Sequence, residues 1–320
     1  MLDIWKPTQT LPNVAVCFAA YNGMLHLSEQ IDSILAQTGV NIVVFVSIDT
    51  SSDGTEAWFD ERAQEDGRIV VLSHGGKFGG AAQNFFRILR EVDFTPFDYI
   101  SFSDQDDVWL PSKLSRAHEV LMSAGADAYS SNVIAFWPDG RKILIEKSQP
   151  QVQWDFLFES AGPGCTYVLK KDLFFAIQDK LKEHWGDMQQ VGQGQHDWFF
   201  YAFARANGYH WVIDDYAGMF YRQHKKNQVG ANLGWRAFIY RTRKVLSGWG
   251  IMQAALMVRL VGLNRNSFTR RWSDGRRMGL LWLSLHAWQC RRRFRDKWLF
   301  AAACLMLVVI GSAAKLNNND

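Results

Sequence analysis

Short apolar runs that stop at polar turns and give way to helical patterns recur through the first third of the chain. This alternation constrains its fold more than any other feature. Residues 14–19 are uncharged and apolar, as a strand buried on both faces must be. They end in the turn cluster Ala20-Tyr21-Asn22-Gly23, and an amphipathic helix is expected around 25–37. A second strand over 41–48 runs into Asp49, then Asp53-Gly54-Thr55-Glu56, where Asp53 and Glu56 have capping-box spacing. Residues 68–72 form a third strand, and Lys77-Phe78-Gly79-Gly80 leads through Asn84-Phe85 into a helix that ends before Pro96. Such units predict a doubly wound α/β architecture with a mostly parallel sheet and helices on both faces.

The fourth strand carries the chemistry. Tyr99-Ile100-Ser101-Phe102-Ser103 runs into Asp104-Gln105-Asp106-Asp107-Val108-Trp109 before Pro111 opens a helix. Ligands of open α/β sheets sit at the carboxyl ends of the strands. Carboxylates spaced Asp-x-Asp can share one hard cation, which in turn holds a diphosphate. One of them could instead cap the helix. A cap needs a single Asp, however, and three acids in four positions repel one another unless something positive lies between them.

After a helix over 111–123 the pattern changes. Short strands are expected at 127–131, 132–137 and 142–145, with a turn at Pro138-Asp139-Gly140, as an antiparallel extension of the sheet. A strand over 165–170 follows the loop Ala161-Gly162-Pro163-Gly164. His196-Asp197-Trp198 then opens a helix that runs to Asn207 and stops at Gly208. Strands at 210–214 and 217–221 precede Arg222-Gln223-His224.

The formal net charge of +3 hides an asymmetry: from Arg236 onward lysine and arginine recur, and the only acids are Asp274, Asp296 and Asp320. The 14 tryptophans suit sugar platforms or membrane-interface rings. The four scattered cysteines fit a reducing compartment, and the N-terminus lacks the marks of a signal peptide, so a cytoplasmic catalytic part is expected. Residues 298–311 are apolar, shorter than the roughly 20 residues a spanning helix needs. With Arg291, Arg292, Arg293, Arg295 and Trp298 beside it, this run suits a helix lying in an anionic leaflet. A buried core helix has a similar composition. Two regions are expected: a catalytic domain over 1–232 and a basic helical region over 233–320 that attaches to a membrane surface.

Taken in order, these motifs resemble the family-2 inverting glycosyltransferases, particularly rhamnosyltransferase-like members of bacterial surface-polysaccharide synthesis. The resemblance covers roughly residues 12–232. It rests on Ala20-Tyr21-Asn22-Gly23, Asp49, Asp53-Gly54-Thr55, Gly79, Asn84-Phe85 and Ser103 to Trp109. Pro163-Gly164-Cys165-Thr166, Gln195-His196-Asp197-Trp198 and Tyr221-Arg222-Gln223-His224, with Asn227, Val229 and Gly230, extend it.

The resemblance implies a GT-A fold, a nucleotide-diphosphate sugar donor and a divalent metal, magnesium or manganese. By it, Ala20, Tyr21, Asn22, Asp49, Lys77, Gly79, Asn84, Asp104 and Gln105 border the donor. Asp106 is the direct metal ligand, and His224 is a second contact to metal or diphosphate unless it is an ordinary loop histidine. Asp197 matches the catalytic base, expected to stay ionised because a helix dipole points at it, and it is equally placed to cap that helix. His196, Trp198 and Trp109 are expected on the acceptor side. One departure stands out: where many relatives carry Asp-Asp-Gly-Ser after the second strand, this chain reads Ile48-Asp49-Thr50-Ser51.

A lipid-linked saccharide acceptor fits the basic tail. A nucleic-acid binder fits poorly, since the basic residues alternate with Trp and Leu at helical spacing and no nucleic-acid module accompanies them. A non-catalytic sugar-nucleotide scaffold would not need the complete set of acids. A processive synthase would carry several clear membrane spans.

Overall fold

A computed structural model of the chain describes residues 11–74, 76–183, 196–224 and 247–310. The motif residues Gln195, Asn227, Val229 and Gly230, and the start of the basic region at 233–246, lie outside them. Strand β1 (Asn13–Ala20) is flanked by parallel β2 (Asn41–Ile48) and β4 (Tyr99–Ser103), and β3 (Ile69–Val71) adds in parallel outside β2. Helices α1 (Leu27–Leu35), α2 (Thr55–Glu65) and α3 (Ala81–Glu91) supply the crossovers. Strands β1 and β4 are buried almost throughout, which is why they read as unbroken apolar runs.

The sheet continues through β5 (Val108–Trp109), β6 (Ala128–Phe136), β7 (Lys142–Ile145), β8 (Val168–Lys170) and β9 (Trp211–Arg222). Its order is β3-β2-β1-β4-β8-β6-β9-β5, with β7 paired to β6. Helices α4 (Lys113–Ser123), α5 (Lys171–Glu183) and α6 (His196–Ala206) pack beside this half. The result is the mixed α/β sheet with flanking helices and an antiparallel extension that the sequence predicts.

Local readings differ at three places. The strand pairs expected at 127–131 with 132–137 and at 210–214 with 217–221 are two continuous strands, β6 and β9. They pair in parallel with register shifts at Ser131/Asn132 and Asn132/Ile134, so the polar residues that looked like turns are bulges inside a ladder. The stretch expected as the beginning of strand 165–170 is a 3-10 turn, Gly164–Thr166. The Asp53–Glu56 capping box does not form. Gly54, at φ 95°, occupies the N-cap; Asp53 accepts from the Met24 and Thr55 amides, and Glu56 accepts from the Ser51 amide.

Helices α7 (Trp249–Leu260), α8 (Arg277–Leu285), α9 (Ala287–Cys290) and α10 (Phe294–Ile310) form the C-terminal region. Met257, Trp272, Leu283, Cys290 and Cys304 join the same core as Phe86, Phe102 and Phe200. Arg292, in the turn before α10, is buried against Asp155 and Glu159. No helix among the described residues is long and apolar enough to cross a membrane.

Candidate active site

Strands β1, β2 and β4 deliver their C-terminal loops to one edge, and hydrogen bonds lock those loops together. The Tyr21 amide donates to Gln105 Oε1 at 2.7 Å, and Gln105 Nε2 donates back to the Tyr21 carbonyl at 2.9 Å. Asn22, at φ 45°, turns its Oδ1 to accept the Ser52 amide at 2.8 Å. Ala20 is buried, and its carbonyl accepts the Asp49 amide. The Asp49 carboxylate accepts the Phe78 and Gly79 amides, both at 2.9 Å, and so fixes the loop that carries exposed Lys77. Asn84 is buried and accepts the Ser47 hydroxyl at 2.7 Å, which ties α3 to β2. Tyr21, Lys77 and Gly79 thus line the exposed edge, while Asp49 and Asn84 act through the backbone and core behind it.

The acids of the fourth strand separate into distinct environments. Asp106 Oδ2 stands 2.6 Å from His224 Nε2, joining the loop after β4 to the end of β9. Arg222 reinforces this join: its Nε donates to the Asp106 carbonyl at 2.7 Å, its amide to Asp107 Oδ1 at 3.1 Å, and its guanidinium pairs with Glu29. Burial and then Asp106 push Asp104 up to about 7. Asp107 is fully buried, and its Oδ2 lacks a hydrogen-bond partner. Asp104, Asp107 and Cys165 bring ligand atoms within 4.8 Å of one another. Burial also pushes the Cys165 thiol well up, so it is a neutral S–H and a poor ligand for a hard oxygen-seeking ion. An acid cluster with a buried, unsatisfied carboxylate oxygen, beside an Asp–His pair, fits a divalent cation.

Lys113, the first residue of α4, lies under this cluster. Its ammonium sits 3.5 Å from the Trp109 ring centroid, and burial lowers it to about 7. Trp109 is itself buried, so it serves as a floor of the site rather than an exposed sugar platform.

Asp197, the second residue of α6, lies within electrostatic reach of Asp104. Its Oδ1 accepts the Trp198 amide at 2.6 Å. The dipole reading of its charge needs correction: burial dominates, with Asp104 adding to it, and raises Asp197 to about 7 despite the Trp198 amide and Lys147. His196 is buried against Phe85 and Phe200, and burial lowers it to about 4, leaving a neutral ring. Trp198 donates its indole N–H to the Phe156 carbonyl at 2.8 Å. The turn Gly164–Thr166 joins the two halves, with Gly164 against His196 and Asp197 and Cys165 against the acids.

With this geometry established, comparison with known proteins is direct. Residues 15–174 match the family described as Glycosyl transferase family 2. Over 280 residues, 87% of this chain and 96% of the relative, the sequence is 40% identical to the dTDP-rhamnosyl transferase RfbG of Shigella flexneri. The chain belongs to glycosyl transferase family 2. It is also 28% identical over 169 residues (50% of this chain, 61% of the relative) to the Escherichia coli UDP-Glc:alpha-D-GlcNAc-diphosphoundecaprenol beta-1,3-glucosyltransferase WfgD. Among solved structures, Staphylococcus aureus TarS 1–349 in complex with UDP-GlcNAc aligns with a TM-score of 0.53, 14% identity, and 95% and 90% coverage of the two chains. Mannosyltransferase PcManGT from Pyrobaculum calidifontis, with GDP-Man and Mn2+, aligns with a TM-score of 0.51, 15% identity, and 98% and 89% coverage. This glycosyltransferase therefore has the GT-A fold. Sequence reasoning passed over Lys113, and quoted Asp107, Cys165 and Arg222 as motif residues without a role. Asp107 was findable, because an extra acid beside Asp-x-Asp needs a partner; Lys113 and Cys165 carry no local signal.

Proposed function

We propose that this glycosyltransferase moves a single sugar, L-rhamnose from dTDP-rhamnose, with inversion onto a lipid-linked saccharide acceptor in surface-polysaccharide synthesis. The observation that carries the reading is an acid–histidine cluster with a carboxylate poised at about 7, Asp197, near enough to feel the charge of Asp104. The donor assignment draws on the similarity to RfbG along nearly its whole length. A UDP-hexose donor is the second reading, favoured by the similarity to WfgD.

Tyr21, Asn22, Lys77 and Gly79 border the nucleotide, and Gln105 holds the Tyr21 loop in place for it. Asp106 and His224 would hold magnesium or manganese, with Asp104 beside them. When bound, the cation offsets the negative charge gathering on the departing diphosphate. Asp197 accepts the proton of the acceptor hydroxyl as that oxygen attacks the anomeric carbon from the face opposite the diphosphate. A single displacement inverts the configuration. Buried Asp107, held by the Arg222 amide, keeps the end of β9 and therefore His224 in register with Asp106. His196 and Trp198 support the acceptor side, one packed under the base and the other anchoring the first turn of its helix.

The C-terminal helices give the protein a membrane-facing surface in this reading. Leu285, Trp288, Phe294, Trp298, Val309 and Ile310 are exposed, and residues 247–310 carry 11 Lys or Arg against two Asp. Exposed apolar side chains among cations fit peripheral binding to an anionic leaflet, here the cytoplasmic face of the cell membrane.

Calorimetric titration with thymidine-, uridine- and guanosine-diphosphate sugars, with and without manganese, tests the donor. Metal-dependent binding of the thymidine-diphosphate sugar alone is expected. Preference for a uridine donor would replace the rhamnosyl assignment, and no binding across the panel would overturn the catalytic reading.

A further inference from the structure

Behind Asp197 lies a group of cations, of which Lys147 also acts electrostatically on the Asp197 carboxylate. Lys147 follows β7, and its amide donates to Asn132 Oδ1. Its side chain runs along Gly162, where an added Cβ would stand 3.5 Å from Lys147 Cγ. Arginines from the turn before α10 reach both the loop before Gly162 and the residue preceding Lys147. Arg291 Nη1 donates to the Phe158 carbonyl at 2.8 Å, Arg292 Nη2 to the Ser160 carbonyl at 2.7 Å, and Arg293 Nη2 to the Glu146 carbonyl at 2.5 Å.

The nearby acids are already engaged. Glu159 accepts the Arg292 amide and lies 3.7 Å from the Arg291 and Arg292 guanidinium nitrogens. Asp155 accepts from Tyr201 and Arg205 and lies 3.5 Å from Arg292. Asp296 faces Arg291 and Arg295. Lys147 and Arg293 have no ion-pair partner among the described residues. Burial, then Arg292, Arg293 and Arg291, push the Lys147 ammonium below the usual lysine range, with Glu159 opposing them. The loop that Lys147 packs against at Gly162, and that Arg291 and Arg292 hold at Phe158 and Ser160, leads to Gly164 in contact with Asp197. Like charges gathered on a partly desolvated loop beside a reacting centre are unfavourable until an anion joins them.

We propose that Lys147 and Arg293 form a phosphate-binding site on the acceptor side of Asp197, reading the diphosphate through which the acceptor saccharide is joined to its carrier. This rests on the lipid-linked acceptor of the proposed function and adds the residues that recognise it. Arg291 and Arg292 shape the site while holding the loop. The site places an acceptor anion at the seam between the catalytic sheet and the basic helices, so the carrier's chain extends toward their exposed apolar face.

The test is calorimetry on the full chain in EDTA, which removes the metal that donor diphosphate requires, with farnesyl diphosphate, farnesol, inorganic pyrophosphate and short-chain phosphatidylglycerol as probes. Farnesyl diphosphate is expected to bind and farnesol to fail. Lys147→Ala and Arg293→Ala are each expected to weaken farnesyl diphosphate about tenfold, and Lys147→Arg to retain binding. Manganese-dependent donor binding, read on the same variants, reports an intact fold. Wild-type affinity in both alanine variants, or no binding of any anionic probe by the wild type, overturns the site. Equal binding of pyrophosphate and farnesyl diphosphate, both lost in the variants, supports the phosphate site and removes the carrier's chain from it. Phosphatidylglycerol binding with the same dependence on Lys147 supports the phosphate chemistry but assigns it to membrane headgroups, overturning the acceptor assignment. A failed donor panel would leave all of these results standing, so the two readings fall separately.

Discussion

Gly164 abuts Asp197 so closely that a Cβ on the glycine would stand 3.2 Å from the Asp197 Cβ and 2.9 Å from His196 Nε2. Gly164→Ala must therefore push Asp197, the proposed base, outward or shift the turn that also carries Cys165. Overpacking of this kind costs about 1–3 kcal/mol. A base displaced by a fraction of an ångström loses far more in rate than in binding. The expected outcome is a fall in kcat on the order of a hundredfold with donor affinity retained. Steady-state kinetics beside donor calorimetry measures the split, and an unchanged kcat would separate this turn from the chemistry.

Asp197 provides a pH signature. Burial holds it at about 7, and only the carboxylate accepts a proton. The rate should fall as pH drops through about 7, approaching tenfold per unit below it. Asp197→Asn should lower kcat on the order of 10²–10⁴-fold and abolish that limb of the profile. A flat profile between pH 5 and 8 in the wild type would remove Asp197 as the base.

Asp104 links metal, protons and stability. Its folded value of about 7 lies above the ordinary carboxylate value of 3.8. The stability associated with its protonation is full below the unfolded value and is lost as pH rises through about 7. A cation reverses that loss by neutralising the ionised cluster. Manganese should raise the melting temperature by several degrees at pH 8 and very little at pH 5. Asp106→Asn or His224→Ala should abolish most of the pH 8 shift. Differential scanning fluorimetry measures it, and equal shifts in wild type and variants would place the ion elsewhere.

Buried Arg292 is expected to dominate the stability of the C-terminal region. Its side chain is 1% exposed against fully buried Asp155, which Tyr201 and Arg205 of α6 also hold. Arg292→Met leaves Asp155 and Glu159 undercompensated and should cost about 3 kcal/mol in urea unfolding. Adding Asp155→Asn should recover part of that cost. If Arg292→Met alone is neutral, the pair carries no net stability.

Membrane attachment is better tested by surface substitutions than by deleting residues 291–320, because that deletion would also remove buried Arg292, Cys304 and Leu307. Leu285→Ser, Trp298→Ser and Val309→Ser together should lower co-sedimentation with phosphatidylglycerol vesicles at least fivefold while leaving the melting temperature within a few degrees. Undiminished co-sedimentation would move the contact to another face.

The parallel half of the fold was legible because β1, β2 and β4 are buried on both faces and their sequences are correspondingly uniform. Strands β6 and β9 were misread as pairs of short strands: Ser131-Asn132 and Asp214-Asp215-Tyr216 have turn composition, and only the partner strand turns them into bulges. β5 was missed because two residues make no pattern; its identity comes from pairing with β9. In the site, the acids, His224 and Asp197 were visible as types at spacings. Their electrostatic state was not, because the burial that lifts Asp197 and Asp104 comes from residues far away in sequence. Lys113 looked like an ordinary helix lysine, and nothing adjacent to it announces the Trp109 ring it covers.

Arg292 also sets the order in which the enzyme becomes complete. The helix bearing Asp197 is fastened through Tyr201, Arg205 and Asp155 to a residue that is number 292 of 320. A nascent chain that has already emerged through its sheet still lacks the last cation of that network. A chimera that exchanges the C-terminal helices with those of a relative would have to carry Asp155 and Glu159 along with them. The catalytic portion and its tail are thus coupled through one buried network, although the sequence divides neatly between them.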